Sequence, residues 1–163
     1  MKIKLPKMLT RVVFSFMLLC ITAYTYAQTV TNNTQSTHDG FFYSFWNDKT
    51  QGSASMTLGP AGNYSTTWSN GGNFTAGKGW SVGKPDRVVC FSGSFNGGSN
   101  GFLALYGWTK NALIEYYVCE NHGQWTPPGN TSDIQKKGTY TSDGGTYTIY
   151  TATRTNQPSI IGT

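Results

Sequence analysis

The stretch GFLALYGWTKNALIEYYVCE, residues 101–120, holds two runs rich in aromatic and aliphatic residues, separated by a short polar break. Residues of these types favour strands, and a break of four residues, 109–112, predicts an antiparallel hairpin. A symmetric loop of that length opposes three pairs of side chains on one face: Tyr106 with Glu115, Trp108 with Leu113, and Ala104 with Tyr117.

This register surrounds a carboxylate with aromatic rings. Alternate side chains of a strand point to one face, so Glu115 shares its face with Tyr106, Trp108 and Tyr117. A carboxylate in such surroundings is costly unless it accepts hydrogen bonds or opens onto a cleft. Two interpretations stay open on the strand alone: a glutamate satisfied by tyrosine hydroxyls with no further role, or a functional carboxylate.

The rest of the chain repeats the alternation of short β-prone segments and turns. Turn signals such as Asn70-Gly71-Gly72 and Asp143-Gly144-Gly145 separate the segments, and no stretch has a helical period. The pattern predicts an all-β antiparallel sandwich. The predicted strands are FFYSFW (41–46), SASMTL (53–58), GNYSTTW (62–68), RVVCFSGSF (87–95), GFLALYGW (101–108), LIEYYVC (113–119), GTYTS (138–142) and GTYTIYTATR (145–154).

The first 27 residues read as a secretory signal peptide. A basic start is followed by an apolar run, residues 12–23, and by the cleavage-site pattern Thr25-Tyr26-Ala27. The run is too short to span a bilayer. We therefore predict a secreted, extracellular protein in three parts: signal 1–27, a polar leader 28–38 that is disordered or loosely attached, and a domain 39–163.

Charge excludes one class of partner. The signal holds four of the twelve basic residues, Lys2, Lys4, Lys7 and Arg11, and seven acidic residues nearly neutralise the remainder. The sequence isoelectric point of about 9.1 is therefore misleading. A nucleic-acid-binding protein keeps a clustered basic surface, which is absent here. We predict no nucleic-acid partner and no membrane attachment after cleavage of the signal.

The cysteines and histidines predict neither a metal site nor a cofactor. Cys90 and Cys119 remain after signal removal, and they either form a disulfide or are two small buried residues on strands. His38 and His122 are not closely spaced with them, unlike the ligands of a zinc site.

The aromatic face suits a carbohydrate. Trp and Tyr rings stack on the C–H faces of sugar rings, and tyrosine hydroxyls meet sugar hydroxyls. A polysaccharide is the obvious ligand, while the alternative is that the aromatic residues mostly fill the core. These observations do not separate a binding module from an enzyme.

Several segments carry a family resemblance. ALIEYYVCENH resembles the nucleophile signature of glycoside hydrolase family 11, the endo-1,4-β-xylanases, in which an aliphatic-x-Glu-Tyr-Tyr run carries the catalytic glutamate. Cys119 departs from the aliphatic residue usual there. GFFYSFWND, GNYSTTWSNGGNFTAGKGW, KKGTYTSDGGTYTIYTATR and NQPSIIGT continue the likeness in the family's order, over residues 39–163.

The resemblance implies a β-jelly-roll of two curved antiparallel sheets, with a cleft for xylan and a monomeric enzyme. Glu115 matches the nucleophile, and Asn73 matches the position beside the acid/base, where Asn accompanies near-neutral pH optima. The residues predicted to bind substrate are Trp46, Tyr106, Trp108, Tyr117, Arg154, Pro158 and Ile160. Alternatives are core packing for Trp46, a turn residue or glycosylation site for Asn73, and a surface charge for Arg154.

Retaining hydrolysis needs a second carboxyl group about 5 Å from the nucleophile. Glu120 is five residues from Glu115, on the opposite face and roughly 16 Å away along an extended strand. The family's acid/base glutamate follows the thumb loop, and the match ends at Thr163 inside that loop. We therefore expect a C-terminally incomplete catalytic domain that lacks the acid/base, is inactive and folds poorly. The alternative function is a secreted, non-catalytic xylan-binding or lectin-like protein, and a third is a purely structural sandwich.

Overall fold

A computed structural model of the chain describes residues 27–162. The predicted signal peptide, apart from Ala27, lies outside the described residues. Every regular element within 27–162 is a β-strand, and all strand pairs are antiparallel. The all-β fold class is confirmed, and the sheets agree with a β-jelly-roll. The same range contains no helix that could cross a membrane.

The strands belong to two compact units that meet in sequence at Gly83 and Lys84. The first unit has six strands: β1 (Gln28–Val30), β2 (Thr34–His38), β3 (Phe41–Asn47), β4 (Ser53–Leu58), β5 (Tyr64–Ser69) and β6 (Phe74–Gly79). The second unit has four: β7 (Phe102–Thr109), β8 (Ile114–His122), β9 (Gln135–Ser142) and β10 (Gly145–Thr151).

The first unit is a small sandwich. Its two sheets have the strand orders β1-β4-β5 and β2-β3-β6. Phe45 from β3 and Met56 and Leu58 from β4 are fully buried in one apolar cluster. Because that cluster draws side chains from both sheets, the sheets pack face to face.

Strand β3 shows how the sandwich separates its two faces. Tyr43, Phe45 and Asn47 are buried, whereas Ser44 and Trp46 between them are only half-buried. Alternation along the strand therefore places Trp46 on the face away from the core. The interpretation of Trp46 as a core residue is wrong for this unit.

Asp39 and Gly40 form the two-residue turn between β2 and β3. Their φ angles are 48° and 79°, a left-handed pair that Asp-Gly sequences adopt readily. The Asp39 carboxylate accepts a hydrogen bond of 2.5 Å from the Ala61 amide in the turn between β4 and β5. This bond ties a turn of one sheet to a turn of the other.

The second unit consists of two hairpins, β7-β8 and β9-β10. Asp143 and Gly144 form the turn of the latter, as predicted, with φ angles of 51° and 78°. The hairpins are joined by a hydrogen bond from the Tyr147 hydroxyl on β10 to Glu120 on β8, with oxygen distances of 3.1 and 3.2 Å.

The predicted register of the first of these hairpins is wrong by two residues. Trp108 lies opposite Glu115, and Tyr106 lies opposite Tyr117. Thr109 continues β7 and donates its hydroxyl to the carbonyl of Ala112, so the four-residue loop is 110–113 rather than 109–112. A shift of two residues leaves every side chain on its original face, so the predicted face is unchanged.

The expectation of a disordered or loosely attached leader is also wrong. Within 28–38 the chain forms β1, which pairs with β4, and β2, which pairs with β3. The polar composition of residues 28–38 suggested disorder, but one apolar residue is enough to attach β1: Val30 is 6% exposed and packs in the core. Backbone pairing supplies the remaining order, with a strand distant in sequence for β1 and with the adjacent strand of a hairpin for β2.

Two further strand predictions differ from the structure. RVVCFSGSF (87–95) is not a strand, and its Val88 is 83% exposed. In the described structure residues 88–95 belong to no strand pair, and β-prone composition does not form a strand without one. Conversely, β6 is glycine-rich and escaped prediction, yet it forms because six of its residues pair with β3.

A charge at Val30 tests whether β1 belongs to the core. We expect Val30→Asp to lower the free energy of unfolding by about 3 kcal/mol or more, because the carboxylate would be buried without a partner. Thr29→Asp is the matched control, since Thr29 is the exposed neighbour on the opposite face. Denaturant unfolding measures both, and equal stability of the two variants would contradict a buried β1.

Candidate functional site

Glu115 is the centre of the candidate site. It is half-buried near the start of β8, directly opposite Trp108 on β7. Its Oε1 accepts a hydrogen bond of 2.9 Å from the Tyr106 hydroxyl. The carboxylate is thus hydrogen-bonded without being enclosed.

Tyr106 connects Glu115 to the indole of Trp108. The Trp108 Nε1–H donates to the Tyr106 hydroxyl oxygen over 2.6 Å. An indole nitrogen can only donate, and a tyrosine hydroxyl has one proton. The tyrosine proton is therefore directed to Glu115, and the three side chains form one oriented chain of donors.

Two tyrosines on this face keep their protons tightly. Burial raises the pKa of Tyr106 to about 12, and the hydrogen bond to Glu115 adds to the shift while that from Trp108 opposes it. Burial, and then the hydrogen bond and charge of Glu115, raise the pKa of Tyr117 far above its usual range. Both hydroxyls are neutral near pH 7 and act as donors toward an anion.

An aromatic row runs along the same face. The Tyr117 ring lies 5.1 Å from that of Tyr106 and 5.5 Å, edge-on, from that of Phe102. The Phe102 ring in turn lies 6.2 Å from the ring of Trp125. Tyr106, Tyr117, Phe102 and Trp125 are each between 37% and 43% exposed, so the row offers accessible ring surface beside the carboxylate.

Glu120, the other glutamate of the chain, has different surroundings. It is the unpaired residue of a bulge in β8, because Leu103 pairs with Asn121 and Ala104 with Cys119. Its carboxylate accepts from Tyr147. The described contacts therefore give Glu115 a tyrosine and aromatic setting, and give Glu120 a link to the next hairpin.

The three predicted substrate contacts after β10 lie in irregular backbone. The Arg154 guanidinium donates to the Gln157 side chain over 3.2 Å. Its charge lowers the pKa of Tyr117, against the dominant effect of burial, so it lies within electrostatic reach of the aromatic face. Pro158 and Ile160 are exposed, and Ile160 is the first residue of a turn at 160–161.

Trp46 and Asn73 belong to the first unit. Trp46 pairs with Thr75 across β3 and β6, on the face away from the core. Asn73 is exposed and immediately precedes β6. The structure therefore brings Glu115, Tyr106, Trp108 and Tyr117 together in one unit, and describes Trp46 and Asn73 in the other.

Sequence reasoning missed Phe102 and Trp125 as members of the aromatic row. Alternation along β7 could have found Phe102, which is four residues from Tyr106 and on its face. Trp125 lies in a loop without periodic signal. With Tyr150 and residues 124–130, it lines a cavity of about 370 Å³.

The cysteines are not bonded to each other. Both Cys90 and Cys119 are free thiols, the first exposed and the second half-buried on β8. The interpretation of both as buried strand residues is wrong for Cys90, which is exposed and outside any strand. In residues 27–162, no three His, Cys, Asp or Glu side chains are grouped to hold a metal ion.

Comparison with known proteins gives one consistent family. The profile of glycosyl hydrolases family 11 matches residues 38–163. Endo-1,4-beta-xylanase 2 of Rhizopus oryzae is 50% identical over 134 residues, which are 82% of this chain and 60% of that protein. Endo-1,4-beta-xylanase 3 of Pyricularia oryzae is 47% identical over 133 residues, which are 82% of this chain and 55% of that protein.

An ethylene-inducing xylanase of Hypocrea rufa is 50% identical over 126 residues, covering 77% of this chain and 55% of that protein. The chain thus spans little more than half the length of these relatives.

The raised pKa of Tyr106 predicts that its hydroxyl keeps its proton at a pH at which tyrosines with the ordinary pKa ionise. At about pH 11, above the usual tyrosine pKa of about 10, Tyr106→Phe should leave the ultraviolet absorbance of tyrosinate at its wild-type level. Because the folded state holds the proton more tightly than the unfolded chain, stability should fall as pH rises from about 10 toward 12.

The control is the same comparison in denaturant, because Tyr106 of the unfolded chain takes the ordinary tyrosine pKa of about 10. There Tyr106→Phe should show less absorbance than the wild type at the same pH. Circular dichroism should show that both proteins are folded without denaturant. A loss of absorbance in folded Tyr106→Phe equal to that in denaturant would contradict the raised pKa.

Proposed function

The chain belongs to glycosyl hydrolases family 11, and we propose that the full-length protein is a secreted endo-1,4-β-xylanase that hydrolyses internal β-1,4-xylosidic bonds of xylan. The observation that carries the proposal is the setting of Glu115, held by Tyr106 on a strand face lined with aromatic rings. The names of the similar proteins support the same substrate.

The proposed mechanism proceeds with retention through a covalent intermediate. Glu115 attacks the anomeric carbon while a second carboxylic acid protonates the leaving oxygen, and the glycosyl–Glu115 ester forms as the glycosidic bond breaks. Water, deprotonated by that second group, then cleaves the ester and regenerates the Glu115 carboxylate. The Tyr106 donor orients the carboxylate before attack and remains neutral throughout.

We propose that the second carboxylate comes from a segment of the full-length protein outside residues 27–162. The chain contains two glutamates, and Glu120 is bound to Tyr147. Two aspartates in loops accept hydrogen bonds from threonine hydroxyls close in sequence, Asp48 from Thr50 and Asp133 from Thr131. None of these carboxylates contacts Glu115 in the described structure, which supports an acid/base supplied by another segment.

The proposed substrate contacts other than Arg154 are neutral, and most of them are aromatic. Trp46, Tyr106, Trp108 and Tyr117 offer ring faces and hydroxyl or indole donors, which suit an uncharged sugar polymer. Arg154, Pro158 and Ile160 would close over it from the segment after β10, and Asn73 would adjust the acid/base. The proposed enzyme acts as a monomer without a cofactor.

Replacing Glu115 by Gln in the full-length protein should abolish xylan hydrolysis. Loss of the nucleophile should lower kcat by on the order of 10³-fold or more, measured as reducing ends released from xylan. Glu120→Gln is the matched control and should retain wild-type turnover, since the Glu120 carboxylate accepts its hydrogen bond from Tyr147, away from the setting of Glu115.

Magnetic resonance of the first sugar released should show the β anomer, as retention requires. Full activity of Glu115→Gln would refute its role as nucleophile, and an initial α anomer would refute retention.

Residues 28–163 expressed alone should release no reducing ends from xylan, because a lone nucleophile has no acid to protonate the leaving oxygen. Measured turnover by this chain would contradict an acid/base outside it. The alternative function, a xylan-binding protein without catalysis, would be supported if the full-length protein were retained on insoluble xylan without hydrolysing it.

A further inference from the structure

Asp48, in the loop after β3, holds the backbone at Asn73 from two sides. Its Oδ2 accepts a hydrogen bond of 2.9 Å from the Asn73 amide, and its own amide donates to the Asn73 carbonyl over 2.9 Å. Asn73 itself is exposed. The residue that enters β6 is therefore fixed by this aspartate from a loop 25 residues earlier.

The other oxygen of Asp48 anchors the carboxylate in its own loop. Oδ1 accepts from both the amide and the hydroxyl of Thr50, each over 3.0 Å. The hydrogen bonds from the Thr50 and Asn73 amides lower the pKa of Asp48. The carboxylate is consequently ionised near neutral pH, and both of its oxygens are used as acceptors.

Gly72 makes room for this arrangement. A Cβ atom at Gly72 would lie 2.4 Å from Asp48 Oδ1 and 2.3 Å from Thr50 Oγ1. Those distances are too short for non-bonded atoms, so a side chain here would displace the carboxylate. The lack of a side chain at Gly72 thus allows the Asp48 carboxylate to reach the backbone of Asn73.

The hydrogen bonds that join Asp48 to Asn73 and Thr50 are called the clamp below. The clamp lies beside the strand face that carries Trp46, a proposed substrate contact. Asn47, the residue before Asp48, pairs with Phe74, and Trp46 pairs with Thr75. A change in the backbone at Asn73 therefore occurs two residues from the partner of Trp46. The Asn73 side chain projects from a position whose amide and carbonyl are both committed to Asp48.

We propose that Asp48 is a positioning residue that, through the backbone of Asn73, sets the pH dependence of the acid/base. This inference rests on the proposed function, in which the Asn73 carboxamide lies beside that group. A hydrogen bond to one protonation state of a carboxyl group changes its pKa, and the change depends on where the partner is held. Asp48 does not touch substrate in this proposal.

The charged groups around the clamp have separate partners. Lys49, next in sequence, donates its ammonium to Asn32 Oδ1 over 3.1 Å. Its amide donates to Asn47 Oδ1. Because the pKa of Asp48 is lowered in the folded state, the clamp persists at neutral pH and weakens only as pH falls toward that lowered value.

The test compares the pH profile of kcat/KM on xylan for the full-length enzyme and its variants. In Asp48→Ala we expect the alkaline limb, which reports the acid/base of the free enzyme, to move by about half a pH unit or more. Asp48→Asn is nearly isosteric and should also move it, because one amide oxygen cannot replace two carboxylate oxygens. Hydrogen exchange at the Asn73 amide should accelerate about tenfold or more in both.

Thr50→Val is the matched control. It removes one hydrogen bond to Asp48 Oδ1 and leaves the hydrogen bond that the Asn73 amide donates to Oδ2, so the alkaline limb should stay in place. Gly72→Ala should reproduce the shift by displacing the carboxylate.

A wild-type enzyme that hydrolyses xylan, with variants that lose stability but keep the wild-type alkaline limb, would overturn the role of Asp48 and leave the proposed function standing. A full-length protein without xylan hydrolysis would overturn both.

Discussion

The pairing of β7 with β8 fixes the geometry on which the candidate site depends. In this register Glu115 faces Trp108 and Tyr106 faces Tyr117, so one carboxylate and three aromatic side chains share a face. A slip of a single residue would turn Glu115 to the opposite face. The bulge at Glu120 takes up the extra residue of β8 farther along the strand, where it leaves the pairing around Glu115 intact and allows Glu120 to reach Tyr147.

The donor chain from Trp108 through Tyr106 to Glu115 has a single direction, because an indole cannot accept and the tyrosine has one proton to give. Partial burial strengthens that arrangement by holding Tyr106 neutral, with its pKa raised to about 12. Burial of the Tyr106 hydroxyl and its hydrogen bond to Glu115 both raise this pKa. The outcome is a carboxylate that is oriented by a neutral donor and remains partly exposed.

Loop backbone in the first unit serves a comparable purpose. In the sandwich, Trp46 lies on the face of β3 away from the core. Asp48 joins the loop after β3 to Asn73, the residue before β6. Both oxygens of the Asp48 carboxylate accept from backbone amides, so this exposed loop is held in place next to a proposed binding surface. The two units thus use different means, strand register in one and a side-chain clamp in the other, to place polar groups beside aromatic rings.

Local sequence determined the all-β class, the Asp143-Gly144 turn and the face shared by Glu115, Tyr106, Trp108 and Tyr117, because alternation and turn chemistry act between near neighbours. The Glu-Tyr-Tyr run also carried the family. Only the tertiary structure decided that polar β1 and glycine-rich β6 are strands and that β-prone 87–95 is not, since a strand needs a partner to complete its hydrogen bonds and the partners of β1 and β6 are distant in sequence. The same reason applies to the clamp from Asp48 to Asn73, which joins residues 25 positions apart. The bulge at Glu120 and the loop at 110–113 lie within a predicted hairpin, but the pairing of its strands, rather than residue type, decides where they fall.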